Sequence, residues 1–181
     1  MNNILSIDPG LNNCGIVGLN IDNDDKIRIN YCDLVDFKEG LKKSSKFEDV
    51  INNIIIKLNG YNNINLVLIE NPPSLKNPQL KSIAIVIYTY FKLKGIKTVL
   101  VSPSKKLSKE ENKTSYKERK KFGIEKCFNL LSDVDKNEIN KLTKKDDCCD
   151  AIIQAYEYVK KNIIKPIKIK IPKIDLVENL E

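Results

Sequence analysis

The chain has no histidine and no tryptophan, a single methionine, and five cysteines that never fall into a C-x-x-C pair. The missing histidines exclude every mechanism built on an imidazole base, so acid–base work is left to carboxylates, lysines and metal. An odd set of unpaired cysteines (Cys14, Cys32, Cys127, Cys148, Cys149) without histidine partners gives no reason to expect a structural zinc site or a disulfide framework. Arginine is scarce, with Arg28 and Arg119 alone against abundant lysine, asparagine and isoleucine. No apolar run approaches the roughly 20 residues that span a bilayer, so no membrane partner is expected. Internal repeats and glycine- or serine-rich linkers are also missing. A length of 181 residues suits one domain with a proper core, and residues 1–181 are read as a single domain.

What the chain does have is positive charge. Lysine and arginine total 31 against 24 acids, a formal charge of +7. The excess is local: Lys97 to Lys121 holds nine basic residues against three glutamates, and Lys160 to Lys173 holds six lysines and no acid. Asp22 to Asp25 is acidic instead. Basic segments beside acidic ones suit a polyanion-binding surface around a carboxylate site. A lysine-rich solvated surface in a protein coded by A+T-rich DNA fits the same composition equally well. Met1-Asn2-Asn3 leads straight into apolar residues without a basic or small-residue leader, so an intracellular address is expected.

Periodicity gives the element order. Asn3 to Ile7 is a short apolar strand ending at Asp8, and Pro9-Gly10 with Asn12-Asn13 has tight-turn chemistry. Cys14 to Ile21 reads as its hairpin partner, and Lys26 to Leu34 alternates as a half-buried third strand. A helix capped by Ser44 or Ser45 is predicted to run to Leu58, with Gly60 beyond it. Asn65 to Ile69 is continuously apolar and ends at Glu70, the pattern of a central parallel strand. A helix from Asn77 to Lys94 stops at Gly95, and Ile96 to Val101 forms the fifth strand. The lysine-rich stretch from Ser104 to Lys121 leads into a helical pattern, Ser132 to Lys141 reads as a loop, and a last helix begins near Asp146. This order predicts an α/β fold of RNase H-like topology: a five-stranded mixed sheet with helices on both faces.

Four carboxylates stand at informative places. Asp8 and Glu70 end the first and fourth strands, which are parallel neighbours in this topology, and Asp147 and Asp150 share a face of the last helix. The region outside the carboxyl ends of the strands is the usual place for a site in such sheets. Each acid alone has a plain structural reading: Asp8 before Pro-Gly as a turn residue, Asp147 as a helix-start acid, Glu70 as a strand terminator. Four together are a poor coincidence. Clustered acids repel unless neutralised, so the set implies hard divalent cations, two Mg²⁺ per site with Mn²⁺ as substitute. Such a pair suits in-line hydrolysis of a phosphodiester. Asp146 is expected to point elsewhere, as a cap or an outer supporting group.

Three segments carry a family resemblance. Ile7-Asp8-Pro9-Gly10 with Cys14-Gly15 is similar to the opening of the RuvC-type resolvases. Ile69-Glu70-Asn71-Pro72-Pro73-Ser74 with Lys76-Asn77, Lys81, Ile83 and Tyr90-Phe91, followed by Lys144-Lys145-Asp146-Asp147-Cys148-Cys149-Asp150-Ala151, resembles the poxvirus-type and fungal mitochondrial Holliday junction resolvases. Pro72 departs from that branch, where a glutamine is expected. The resemblance implies that Asp8, Glu70, Asp147 and Asp150 are catalytic metal ligands of a homodimer that nicks a four-way DNA junction symmetrically. It further implies phosphate contacts from Lys117, Arg119, Lys120 and Lys121, and a lysine near the scissile phosphate, Lys105 in preference to Lys106. A poxvirus-type relative would act in the host cytoplasm. The apolar circumference of the helix after Asn77 suits either a dimer partner or burial beneath other elements.

Other readings remain. A different RNase H-fold nuclease, cutting flaps or RNA/DNA hybrids, would share the carboxylates and differ in substrate. A non-catalytic branched-DNA-binding module gains nothing from four repelling acids that face a polyanion. A sugar-kinase or actin-like ATPase shares the Asp-x-Gly turn but needs a duplicated domain, for which 181 residues are too few.

Overall fold

The computed structural model describes residues 3–22, 26–75, 77–102 and 115–162. Five strands, β1 (Ile4–Asp8), β2 (Cys14–Ile21), β3 (Ile27–Val35), β4 (Leu66–Glu70) and β5 (Lys97–Val101), form one sheet in the order β3-β2-β1-β4-β5. The first three strands pair antiparallel, and β1, β4 and β5 pair parallel. Parallel neighbours need long crossovers. These are supplied by α1 (Phe47–Leu58) before β4 and α2 (Pro78–Leu93) between β4 and β5. Three further helices, α3 (Tyr116–Asn129), α4 (Asp133–Asn140) and α5 (Lys145–Asn162), complete the described chain. Among the described residues no helix is long and apolar enough to cross a membrane.

Strand alternation sorts the side chains into two apolar layers. Leu5, Ile7, Val67 and Ile69 pack with Val50, Ile54 and Leu58 of α1 and Ile83, Ile87 and Phe91 of α2. Their neighbours Ile4, Leu66 and Leu68 face the opposite way and pack with Ala151, Ile152 and Ala155 of α5. Both faces of the sheet are therefore covered, which is why β4 is apolar from Leu66 to Ile69 and not alternating. The expected five-stranded mixed sheet with helices on both faces is the observed architecture.

Two local readings are corrected. Ser132 to Lys141, read as a loop, contains α4, with the Ser132 hydroxyl accepting the Asp135 N–H at 3.2 Å. Only Val134 and Ile139 are apolar in this helix and only Ile139 is buried, so it has no apolar stripe to reveal it. Its signature is the cap and its acidic first turn. Helix α1 starts after Lys46, not after Ser44 or Ser45, because the Asp49 carboxylate takes the Lys46 backbone N–H at 2.8 Å. At the far end of α2, Gly95 takes the positive φ of 74° that the stop signal required.

The docking of α5 depends on one glycine. Gly15 of β2 is the cross-strand partner of Asp8, and a Cβ there would lie 2.6 Å from the backbone oxygen of Asp147 and 2.8 Å from its carbonyl carbon. The first turn of α5 thus rests backbone to backbone on β2, where neither side can give. Gly15→Ala is expected to displace this turn and to cost about 1–3 kcal/mol, the usual range for overpacking. The urea midpoint measures this, and an unchanged midpoint would mean that the helix is free to shift.

Candidate active site

The acids at the strand ends share a face by parity. Ser6 directs its hydroxyl to the Ala151 carbonyl of α5 at 2.7 Å, and Asp8, two residues on, faces the same side. Leu68 packs in the α5 layer, and Glu70 stands two residues beyond it. Ile7 and Ile69 are register partners, so Asp8 and Glu70 lie side by side one step further along the parallel pair. Both are partly exposed, and each has interacting partners.

Asp147 and Asp150 come from the first turns of α5, beside the end of β1. They are joined there by Asp146, which the sequence reading sends elsewhere. The Lys120 ammonium of α3 lies 2.9 Å from Asp146 Oδ2, 3.3 Å from Asp150 Oδ2 and 3.4 Å from Asp147 Oδ1. Asp146 and Asp150 are four apart on one helix, so both reach the same side, and a long lysine can span all three acids. That spacing was the available signal for Asp146.

Lys120 differs from its neighbours in surroundings. It was grouped with Lys117, Arg119 and Lys121 as a phosphate contact, yet its side chain is only 25% exposed and is committed to the carboxylates. Helical spacing explains the difference, because Lys120 precedes the buried Gly123 and Cys127 by three and seven residues on one stripe of α3. Lys117 and Lys121 are exposed on the neighbouring face, Lys121 near Glu125 at 3.7 Å, and the Arg119 guanidinium lies 6.0 Å from the Tyr116 ring centre. The start of this helix is fixed by Ser115, whose hydroxyl accepts the Glu118 N–H while the Glu118 carboxylate takes the Ser115 N–H at 2.9 Å. Lys105 and Lys106 lie outside the described residues, as do the acids Asp24 and Asp25 and the lysines from Lys165 onward.

Electrostatics follow from this packing. Burial works to strip the proton from Lys120, but Asp150, Asp146 and Asp147 together outweigh it and raise its pKa well above the ordinary lysine range. Burial, then the charge of Asp146, pushes the Asp147 carboxyl above its usual range against the opposing pull of Lys120. The thiol of Cys14, close to Asp8 and Asp147, is driven up to about 12 chiefly by burial. Cys148 is raised by its contact with Cys32 and by burial, and Cys127 by its contact with Cys149 and by burial. Burial thus favours the protonated form of these three thiols.

Carboxylates alone are a hard oxygen donor set of the kind that suits Mg²⁺ or Mn²⁺. A cation-binding tendency is visible directly, since three of the acids converge on an ammonium. Among the described residues no three acids or thiols are drawn together tightly enough to grip one metal ion as they stand. Lys120 lies among Asp146, Asp147 and Asp150.

Comparisons with known proteins complete this description. A family model described as Poxvirus A22 protein matches residues 2–162. Protein L451 of Acanthamoeba polyphaga mimivirus is 35% identical over a stretch covering 53% of this chain and 29% of that protein, so the chain spans under a third of this relative's length. Among solved structures, the Fowlpox virus resolvase in complex with substrate Holliday junction DNA superposes with a TM-score of 0.64 at 23% identity, covering 89% of this chain and 99% of that one. The yeast mitochondrial Holliday junction resolvase Ydc2 gives 0.63 at 15% identity, covering 88% and 79%. Thermus thermophilus RuvC bound to a Holliday junction gives 0.61 at 14%, covering 92% and 100%. At these identities the structural likeness is one of fold.

Removing the cation tests the balance of charge. Lys120→Met leaves three acids facing one another, and stability is expected to fall by about 1–3 kcal/mol at pH 7, the cost of stranding a charge-assisted hydrogen-bond set. The penalty should shrink as pH falls, because protonating the carboxylates relieves their repulsion. Urea midpoints of both proteins between pH 4 and 8 check this; a penalty that stays constant with pH would rule out charge as its source.

Proposed function

The chain belongs to the poxvirus A22 protein family, and from that premise we propose that it is a metal-dependent endodeoxyribonuclease that resolves four-way DNA junctions by paired symmetric nicks. One observation carries the reading. Asp8 and Glu70 end two neighbouring parallel strands, and Asp147 and Asp150 lie at the start of α5, which packs on those strands, in a fold shared with a fowlpox resolvase solved on its junction substrate. Residues 1–181 then act as one nuclease domain.

Asp8, Glu70, Asp147 and Asp150 would hold the Mg²⁺, with Mn²⁺ as substitute, while Asp146 shares in neutralising Lys120. When bound, two such ions would supply the Lewis acidity that activates water and stabilises charge on the phosphodiester. The protein's own contribution is to place and orient. Burial limits the water around Asp147, and the backbone contact at Gly15 fixes the height of the first turn of α5 against β2. Lys120 neutralises the acids before substrate arrives, so that a polyanion meets a site of reduced negative charge. Lys117, Arg119 and Lys121, on the outer side of the same helix, would take backbone phosphates, and Lys105 and Lys106 belong to the same proposed contact set.

Two strands cut symmetrically call for two sites, and a homodimer supplies them. Exposed Ile85 and Leu93 of α2, together with Ile55 and Ile56 of α1, leave apolar surface for a second copy on the layer away from the acids. Sedimentation at micromolar concentration is expected to show a dimer; a strictly monomeric protein would remove this part of the reading. A poxvirus-type function would put the work in the host cytoplasm.

Cleavage of an end-labelled synthetic four-way junction, beside duplex, flap and RNA/DNA hybrid controls, tests the whole. Paired nicks are expected on the junction with Mg²⁺, none with EDTA, and Asp150→Asn should lower the rate about a thousandfold, as the loss of several kcal/mol of transition-state stabilisation would. Preferential cutting of the hybrid would assign the chain to another RNase H-fold activity, and binding without cutting under every metal condition would make it a binding module.

A further inference from the structure

A buried amide lies directly beneath the carboxylates. Gln154 is 4% exposed and sits on the same face of α5 as Asp147 and Asp150, one turn deeper into the protein. Its Nε2 lies 3.2 Å from Ser6 Oγ, 3.3 Å from the Ile7 carbonyl oxygen and 3.3 Å from the Leu68 carbonyl oxygen. Ser6, fully buried, donates in turn to the Ala151 carbonyl at 2.7 Å. One side chain of α5 is thus bonded to the residue that precedes Asp8 and to the residue two before Glu70.

The surroundings make this amide an odd choice. The layer around it is apolar, with Ile4, Leu66, Leu68, Ala151 and Ala155, and a methionine or leucine would pack there without needing partners. Apolar contact, however, is non-directional and allows a helix to slide or roll by a few tenths of an ångström. A hydrogen-bonded amide in a dry layer fixes both displacements, because its bonds are strong only at one distance and angle. The load it resists is specific: α5 begins with Asp147 and Asp150 and the strands end with Asp8 and Glu70, charges of one sign whose repulsion Lys120 offsets only from the α5 side.

We propose that Gln154, through Ser6 and the carbonyls of Ile7 and Leu68, is a positioning residue that sets the separation between the α5 acids and the strand-end acids, and thereby the affinity of the site for its divalent cation. The inference rests on the metal-dependent reading of that site. It assigns Gln154 no contact with substrate.

Two full-length variants separate positioning from packing. Gln154→Met removes the donor at similar volume and leaves Ser6 bonded to the Ala151 carbonyl, and Ser6→Ala with Gln154→Met removes both members of the side-chain pair. Stability is read from the urea midpoint, cation affinity from Mn²⁺ binding followed by electron paramagnetic resonance without DNA, and turnover from kcat and KM on the four-way junction. The double variant is expected to keep a near wild-type midpoint while its Mn²⁺ dissociation constant rises about tenfold, in the range seen when outer supports of metal ligands are removed. The junction kcat should fall with KM unchanged. Wild-type Mn²⁺ affinity and kcat in the folded double variant would overturn the positioning role and leave the reading of the site intact. A wild-type protein that neither binds Mn²⁺ nor cuts junctions would overturn that reading, and this inference with it.

Discussion

The contact between the first turn of α5 and Gly15 of β2 is the constraint on which the acidic edge depends. It is made by backbone on both sides, so its spacing is set by the absence of one Cβ and cannot be tuned by rotamer changes. Because Gly15 is also the register partner of Asp8, the place where the helix touches the sheet is the place where the first acid emerges. A looser approach there would leave Asp147 in water and separate it from β1.

Bringing partly buried acids together at the start of α5 raises an electrostatic problem that the fold solves from another helix. Lys120 reaches from α3 to Asp146, Asp147 and Asp150, and the raised pKa of both Lys120 and Asp147 records the two sides of that balance. The α3 and α5 pair is also tied by Lys126 and Glu157 at 2.9 Å, away from the acids. The neutralising lysine is therefore held by the same helix that presents Lys117 and Lys121 outward. One short basic segment serves two opposite surroundings, dividing its residues by helical angle.

Much of this was legible along the chain. The strands were legible because their apolar residues are dense and their ends are marked by Asp8-Pro9-Gly10, Glu70-Asn71-Pro72 and Gly95, signals that depend only on local backbone chemistry. Helix α4 was not, since Asp133 to Asn140 buries a single side chain and is held by its cap. The ion pairs of Lys120 with Asp146, Asp147 and Asp150 were not legible for a common reason: the neighbours along the chain are solvated charges, and only helical angle, i to i+3, i+4 and i+7, distinguishes the inward member. Gln154 carried no signal in sequence, because an isolated amide within an apolar helix has meaning only through what lies across from it.

By itself the sequence determined the order of the strands and of every helix but α4, the parallel and antiparallel halves of the sheet, and the types of group available for chemistry, since composition and short-range periodicity are properties of the chain. It also excluded imidazole and placed acids at strand and helix ends. The tertiary structure alone decided which charges meet: that Lys120 turns in while Lys117 and Lys121 turn out, that Asp146 joins Asp147 and Asp150, and that Gln154 binds two strands from one helix. The contacts of Lys120 and Gln154 join residues 26 to 148 positions apart, and they depend on the height and rotation at which α3 and α5 pack against the sheet, a quantity no local pattern encodes.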